Sequence, residues 1–279
     1  MNARRRKTVL VWTQVVLLAA ICLVWIYPLL WIASASVKDT LSIFTGGLGL
    51  LPDRWEFGNY ARAWDEADFS RYMVNSVVVT VGSVFLVVLR SATAGYVLAR
   101  KDFPGRKLVL TVMVSTLFAP TGLFIIPIVE TSDLMGLLNT RTGLVLALSG
   151  AGQVAGTLLY MGYFSRLPRE LEEAATVDGA GFLRTFFQVI MPISGPITAT
   201  VSVMTFLGSW NSFFLPLVFT FSEPSQRTLA VGMLAFQGTN STDWSGMAAA
   251  TMLSLLPVLV VFALLQRYFI EGVAGAVKN

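Results

Sequence analysis

Six stretches of this chain are apolar for long enough to cross a bilayer, and short polar or charged segments separate them. They run at about 9–35, 72–99, 108–130, 143–164, 197–221 and 246–270. A helical span needs roughly 20 predominantly apolar residues, and each stretch reaches that length. The pattern predicts an all-α membrane protein, because lipid offers no partner to backbone polar groups and helices satisfy them internally. The first stretch follows a basic start, Arg4, Arg5, Arg6 and Lys7, which is also how a secretory signal begins. Signal cores hold only about 7–15 apolar residues, whereas this run is longer and contains Trp25, Tyr27, Pro28 and Trp31. It reads as a retained helix.

Orientation follows from lysine and arginine, which accumulate in short cytoplasmic loops. Residues 1–8 carry the basic start, the turn after the second stretch carries Arg100, Lys101, Arg106 and Lys107, and the segment after the fourth carries Arg166, Arg169 and Arg184. The alternate segments are poorer for their length. Residues 37–71 set Lys38, Arg54, Arg62 and Arg71 against six acids, while 131–142 and 222–245 offer only Arg141 and Arg227. The expected organisation is a cytoplasmic start at 1–8, a six-helix transmembrane domain at 9–270 and a cytoplasmic tail at 271–279. Within that domain, 37–71 forms an outer cap with short helices and aromatic interfacial anchors, 165–196 a cytoplasmic loop between spans four and five, and 222–245 a shaped outer loop.

Interruptions mark the spans. Pro28, Pro120, Pro127, Pro216 and Pro257 lie in or near them, and each removes a backbone hydrogen bond and favours a kink. Gly152-x-x-x-Gly156 and Ser91-x-x-x-Gly95 provide small faces for close helix approach.

Composition narrows the chemistry. The chain is 55% hydrophobic and 13% charged, well below the roughly 25% charge of soluble domains. It has no histidine, which removes the usual general base and the commonest metal ligand. Its one cysteine, Cys22, is expected to be a buried small hydrophobe. No metal-ligand cluster is expected, and no G-x-x-x-x-G-K-[ST] segment for nucleotide phosphates occurs.

One water-facing insert stands out, Leu167 to Ala180. Pro168 suits the first turn of a helix, and Glu170, Glu172 and Glu173 suit its positive N-terminal end. Leu171, Ala174, Ala175 and Val177 make a small apolar surface, and Asp178-Gly179 ends the helix with a residue that tolerates the left-handed turn. Phe182, Phe186, Phe187 and Ile190 recur at near-helical spacing, and Pro192 and Pro196 mark the return to the membrane. The result is an elbow that presents a short helix for docking in a partner's groove.

The run Glu173-Ala174-Ala175-x-x-x-Gly179, then nine residues, then Val189-x-Met191-Pro192 resembles the EAA loop of permease subunits of binding-protein-dependent ABC importers. That pattern usually has isoleucine and leucine where this chain has Val189 and Met191, both conservative changes. Asp178-Gly179-Ala180 is similar to the sugar-importing branch. Phe57-x-Asn59-Tyr60 with Asn75-Ser76, Trp210-Asn211-x-Phe213 before Pro216, and the tail from Gly272 to Lys278 resemble maltose-type permeases of the second-subunit kind. The resemblance implies a bacterial inner-membrane subunit that forms a sugar path with a second permease. It also implies two ATPase subunits binding ATP and Mg, an extracytoplasmic binding protein, surrounding lipid, no cofactor in this chain and no nucleic acid. It assigns ATPase coupling to Glu173, Ala174, Ala175, Asp178 and Gly179.

Substrate contacts are sought among polar groups in spans, which tend to face the bundle interior or a cavity. Asn75, Gln153, Trp210 and Asn211 are the candidates, and helix–helix hydrogen bonding accounts for each equally well. Arg90, about 15 Å from Arg100 along a helix, is expected to snorkel or to face the partner permease. Other classes fit less well, and an assembly or scaffold subunit would keep the docking loop without needing a polar cavity. An ion-coupled secondary transporter wants acidic relays and repeated halves, and neither is evident. An intramembrane enzyme built on Gly208-Ser209 lacks the histidine base. The chain is expected to have no catalytic residue of its own.

Overall fold

The computed structural model describes residues 3–65, 68–238 and 241–277, with side chains from 11 to 266 except position 121. The side chains of the basic start at 4–7 and of the 271–279 tail lie outside the described residues. The chain forms two compact units, Met1–Ser70 with Met233–Leu256, and Arg71–Gly232 with Pro257–Asn279.

Among the described residues the chain is nearly all helix, its strand content a single bridge between Gln237 and Thr242. In order come α1 (Ala3–Ala35), α2 (Thr40–Thr45), α3 (Gly58–Asp65), α4 (Phe69–Arg100), α5 (Arg106–Thr116), a 3-10 turn (Thr121–Phe124) and α6 (Ile125–Leu134). Then follow α7 (Arg141–Phe164), α8 (Glu170–Val177), α9 (Phe182–Thr185), a π-helical turn (Phe186–Ile190), α10 (Met191–Ile193), α11 (Gly195–Trp210) and α12 (Phe214–Phe219). The chain closes with a 3-10 turn (Pro224–Gln226), α13 (Leu229–Gly232), a second 3-10 turn (Met233–Phe236) and α14 (Trp244–Val277).

Four helices are long and apolar enough to cross a membrane: Val11–Ala35, Phe69–Arg100, Arg141–Phe164 and Trp244–Gln266. A fifth crossing is available if Phe182–Ile193 and Gly195–Trp210, bent by 81°, act as one span. The stretch at 108–130 differs from the continuous helix its apolar run suggests. Proline lacks an N–H and pushes the residue before it out of the α region, and Pro120 itself is extended at φ −60°, ψ 123°. The helix stops at Thr116 and restarts at Ile125. Likewise, 197–221 divides at Asn211–Phe213, between α11 and α12. Pro28 and Pro257, by contrast, sit inside uninterrupted helices.

In the unit built on α4, α7 and α11, the buried cluster holds Val87, Ala92, Tyr96, Tyr160, Phe164, Phe186, Ile190 and Val201. Lipid is as apolar as these side chains, so close packing rather than escape from water holds them together. The two small-residue faces meet each other. A Cβ on Gly95 would lie 2.7 Å from the Tyr160 Cβ and 2.9 Å from the Thr157 carbonyl, and one on Gly156 would lie 2.7 Å from the Ser91 hydroxyl. Ser91 also donates to the Gln153 carbonyl at 3.1 Å, so α4 and α7 cross nearly backbone to backbone.

In the other unit, α1 is apolar on every side, and from Val11 to Leu30 only Tyr27 is even half-buried. Cys22 is exposed there, which corrects the expectation of a buried thiol. Residues 37–71 contain α2 and α3. Asp39 caps α2 by accepting from the Leu41 and Ser42 amides at 3.0 Å, and Asn59 donates to the carbonyls of Ser36 and Lys38. Arg62 pairs with Asp243 at 2.9 Å and also donates to the Asn59 side chain. Burial works against the charge on Asp243, but the Gly246 amide, Arg62 and Ser245 outweigh it, so its carboxyl is held below the ordinary 3.8.

Two measurements follow from this packing. Gly95→Val should lower stability by about 1–3 kcal/mol through overpacking of the helix crossing. Gly150→Ala, whose Cβ meets nothing within 4 Å, should leave thermal unfolding in detergent unchanged. The Asp243 contribution is complete above its ordinary pKa and is lost as pH falls through the depressed folded value. Asp243→Asn should therefore flatten the acid limb of a stability–pH profile below about pH 4.

Candidate coupling site and membrane cavity

The elbow begins where α7 ends. The helix α8 starts at Glu170 with Arg169 as its cap, so Pro168 stands ahead of the helix rather than within its first turn. With no side-chain cap on its amides, α8 relies on Glu170, Glu172 and Glu173 in its first turn to offset the positive end. Its other end is a Schellman motif. Gly179 is left-handed at φ 77°, its amide donates to the Thr176 carbonyl, and the Ala180 amide reaches back to the Ala175 carbonyl. The glycine is needed for that backbone angle, since open space surrounds its missing Cβ.

These ends set which residues α8 offers to a partner. Glu173, Ala174, Val177, Asp178 and Gly179 are exposed, Val177 at 88%. Ala175 is buried and Leu171 half-buried, so only Ala174 and Val177 of the expected apolar surface are open. The return limb splits similarly. Phe186 and Ile190 are buried, whereas Phe187 is half-exposed. Its 81° bend falls at Ser194 between Pro192 and Pro196, and the Ser194 hydroxyl donates to the Ile190 carbonyl at 2.6 Å.

Beside α8 lies a cleft of about 400 Å³ lined by Arg100, Arg169, Glu172, Glu173 and Thr176. Arg100 Nε approaches Glu172 Oε1 at 2.6 Å, an ion pair rather than an aligned hydrogen bond, and its Nη2 donates to the Leu167 carbonyl at 2.8 Å. Lys101 Nζ sits 5.1 Å from the centre of the Phe182 ring. Tyr96 stacks on Phe182 at 5.0 Å and lies 5.1 Å from Phe186. Arg100 and Tyr96 fall four residues apart on α4, but in the sequence Arg100 signals only topology.

A second cavity, about 1090 Å³, opens among α5, α6, α7, α11 and α12. Its walls are mainly apolar, with Thr116, Thr205, Ser209 and Ser212 among the polar groups. None of the four substrate candidates lines it. Asn75 is fully buried and donates to the carbonyls of Ser225 and Arg227 at 2.9 and 2.8 Å. Gln153 faces Thr157 at 3.4 Å. Trp210 is buried and stacks on Phe206 at 5.5 Å, while Asn211 is exposed at the break after α11. Arg90 donates to Ser149 at 2.6 Å. No group of three or more metal-ligating side chains occurs among the described residues.

Several apolar helices and an exposed short helix hung between a span and a bent pair define a helical membrane protein. Residues 91–275 match the model of the family described as binding-protein-dependent transport system inner membrane component. The chain is 38% identical over 266 residues to the diacetylchitobiose uptake system permease protein NgcG of Streptomyces coelicolor, covering 93% of this chain and 86% of that one. It is 32% identical over 232 residues to the melibiose/raffinose/stachyose import permease protein MelC of Bacillus subtilis, covering 82% and 84%. Its fold matches a chain of a bacterial ABC transporter involved in importing the acidic polysaccharide alginate, at TM-score 0.80 and 23% identity, covering 96% and 99%. The chain belongs to this family: it is a multi-pass inner-membrane permease subunit of an ABC importer, a transport subunit rather than an enzyme. The ion-coupled and enzymatic alternatives find no support.

Asn75 yields a direct measurement. Asn75→Ala leaves two loop carbonyls without their donor, which costs about 1–3 kcal/mol. Tryptic cleavage after Arg227 in the detergent-solubilised protein should become faster. An unchanged rate would show that Asn75 does not anchor the loop.

Proposed function

We propose that this chain forms, with a second permease, the path for a sugar or sugar derivative across the inner membrane. Two separate ATPase subunits bind ATP and Mg and drive the cycle, and an extracytoplasmic binding protein delivers the substrate. The relatives named for diacetylchitobiose and for melibiose, raffinose and stachyose support the carbohydrate class. The sn-glycerol-3-phosphate relative UgpE of Yersinia pestis, 30% identical over 285 residues, extends it to polyol derivatives.

Six crossings fit if α5 with α6 makes one and the bent pair another, with both termini and the elbow cytoplasmic, as the lysine and arginine distribution requires. Coupling then falls to Glu173, Ala174, Asp178 and Gly179 on the open side of α8, with Ala175 packing the helix onto its own chain. Of the four substrate candidates, exposed Asn211 is the one we assign to the path. The lipid-facing role falls to α1.

The observation that carries this reading is the exposed α8 with its glycine-dependent end. Gly179→Pro removes both the left-handed angle and the amide that holds Thr176. It should leave membrane insertion intact while abolishing uptake and sparing ATP hydrolysis in the reconstituted complex. Wild-type uptake at normal expression would refute the coupling role. Thermal-shift titration of the cognate binding protein with diacetylchitobiose, raffinose and sn-glycerol 3-phosphate tests the substrate class, and failure of all three would count against it.

A further inference from the structure

We infer that the cytoplasmic end of α4 is a latch that makes the elbow move as one piece with that span. Arg100 and Lys101 are its positioning residues. The inference rests on the coupling role of α8 and adds where its motion enters the membrane.

The elbow has two joints, Ser165–Arg169 before α8 and Asp178–Gly181 after it. Left alone, these turns would let α8 tilt without moving a span. One end of α4 straddles both. Arg100 holds the first joint by its bond to the Leu167 carbonyl and holds α8 itself by its pair with Glu172. Lys101 sits over Phe182 beyond the second joint, and Tyr96, one turn earlier, stacks on the same ring. Arg106 of the same turn is used locally, since it donates to the Leu98 carbonyl and faces Asp102.

Burial makes the grip strict. The Arg100 side chain is 5% exposed, and removing one member of a buried pair strands an uncompensated charge. A planar guanidinium can address a carboxylate and a carbonyl together, whereas an ammonium is a single compact charge. A tilt of α8 therefore pulls on α4 directly. Through the Ser91 and Gly95 face, α4 is locked to α7.

The test uses the intact complex in liposomes, comparing MgATP hydrolysis with and without its binding protein. In Arg100→Gln and in Glu172→Gln the stimulation ratio should fall about fivefold or more. The double variant should fall no further than Arg100→Gln alone, because the pair that Glu172→Gln removes is already lost in Arg100→Gln. Arg100→Lys should recover part of the ratio. A wild-type ratio in both singles, losses that multiply in the double, or release of the ATPase subunits from an otherwise intact permease would each overturn the latch. If neither single variant reaches the membrane, Lys101→Gln loosens only the second grip; a reduced ratio supports the latch and a wild-type ratio overturns it. Gly179→Pro in the same assay separates the two ideas. If it uncouples while the Arg100 and Glu172 variants behave as wild type, only the latch fails, whereas a coupled Gly179→Pro removes the role of α8 itself.

Discussion

Lipid gives no reward for burying an apolar side chain against another apolar side chain, so helices in this chain are held where backbones come close enough to interlock. The crossing of α4 and α7 meets that condition through residues without bulk. Gly95 lies against Thr157 and Tyr160, and Gly156 lies against Ser91. Around this seam the large rings of Tyr96, Tyr160, Phe164 and Phe186 fill the space next to the glycines. Removing the small residues would separate the rings from their partners, so the aromatic cluster depends on the seam and not the reverse.

Most of the buried polar groups inside this framework hold the chain to itself. Asn75 spends both amide protons on carbonyls about 150 residues away, and the nearby Ser76 hydroxyl accepts from the Leu229 amide. These bonds tie the segment after α12 to the start of α4. At the other end of α4, Arg100 does the equivalent for the elbow. One long helix thus carries a polar anchor at each end, and a loop that would otherwise be free is fastened to each. A polar side chain in a span is therefore not by itself the mark of a substrate site.

Local features were legible in the sequence where one residue determines the geometry. Gly179 marked a helix end because glycine takes the left-handed angle at least cost, and Ser91, Gly95, Gly152 and Gly156 advertised close approach by size alone. The breaks at Pro120 and at Asn211–Phe213 were less legible, since hydropathy measures how apolar a run is and not whether it stays helical. Cys22 was misplaced for a related reason: a helix that is apolar all round can face lipid or a core with the same composition. Arg100 and Asn75 were illegible in their structural roles, because their partners lie 67 to 152 residues away and no periodicity links them.

The prolines show how context decides what a local rule does. Pro28 and Pro257 each delete a hydrogen bond inside a helix that continues past them, whereas Pro120 coincides with a stop and Pro192 with a widened turn. Flanking residues separate the two outcomes. Gly122 lies two residues beyond Pro120, and Ser194 and Gly195 follow Pro192, so the backbone there has both a missing donor and the freedom to turn. At the second site the Ser194 hydroxyl takes up the Ile190 carbonyl, which satisfies in the bent state a group that a straight helix would have satisfied itself. The bend after the elbow therefore replaces, at Ile190, the backbone bond that it gives up.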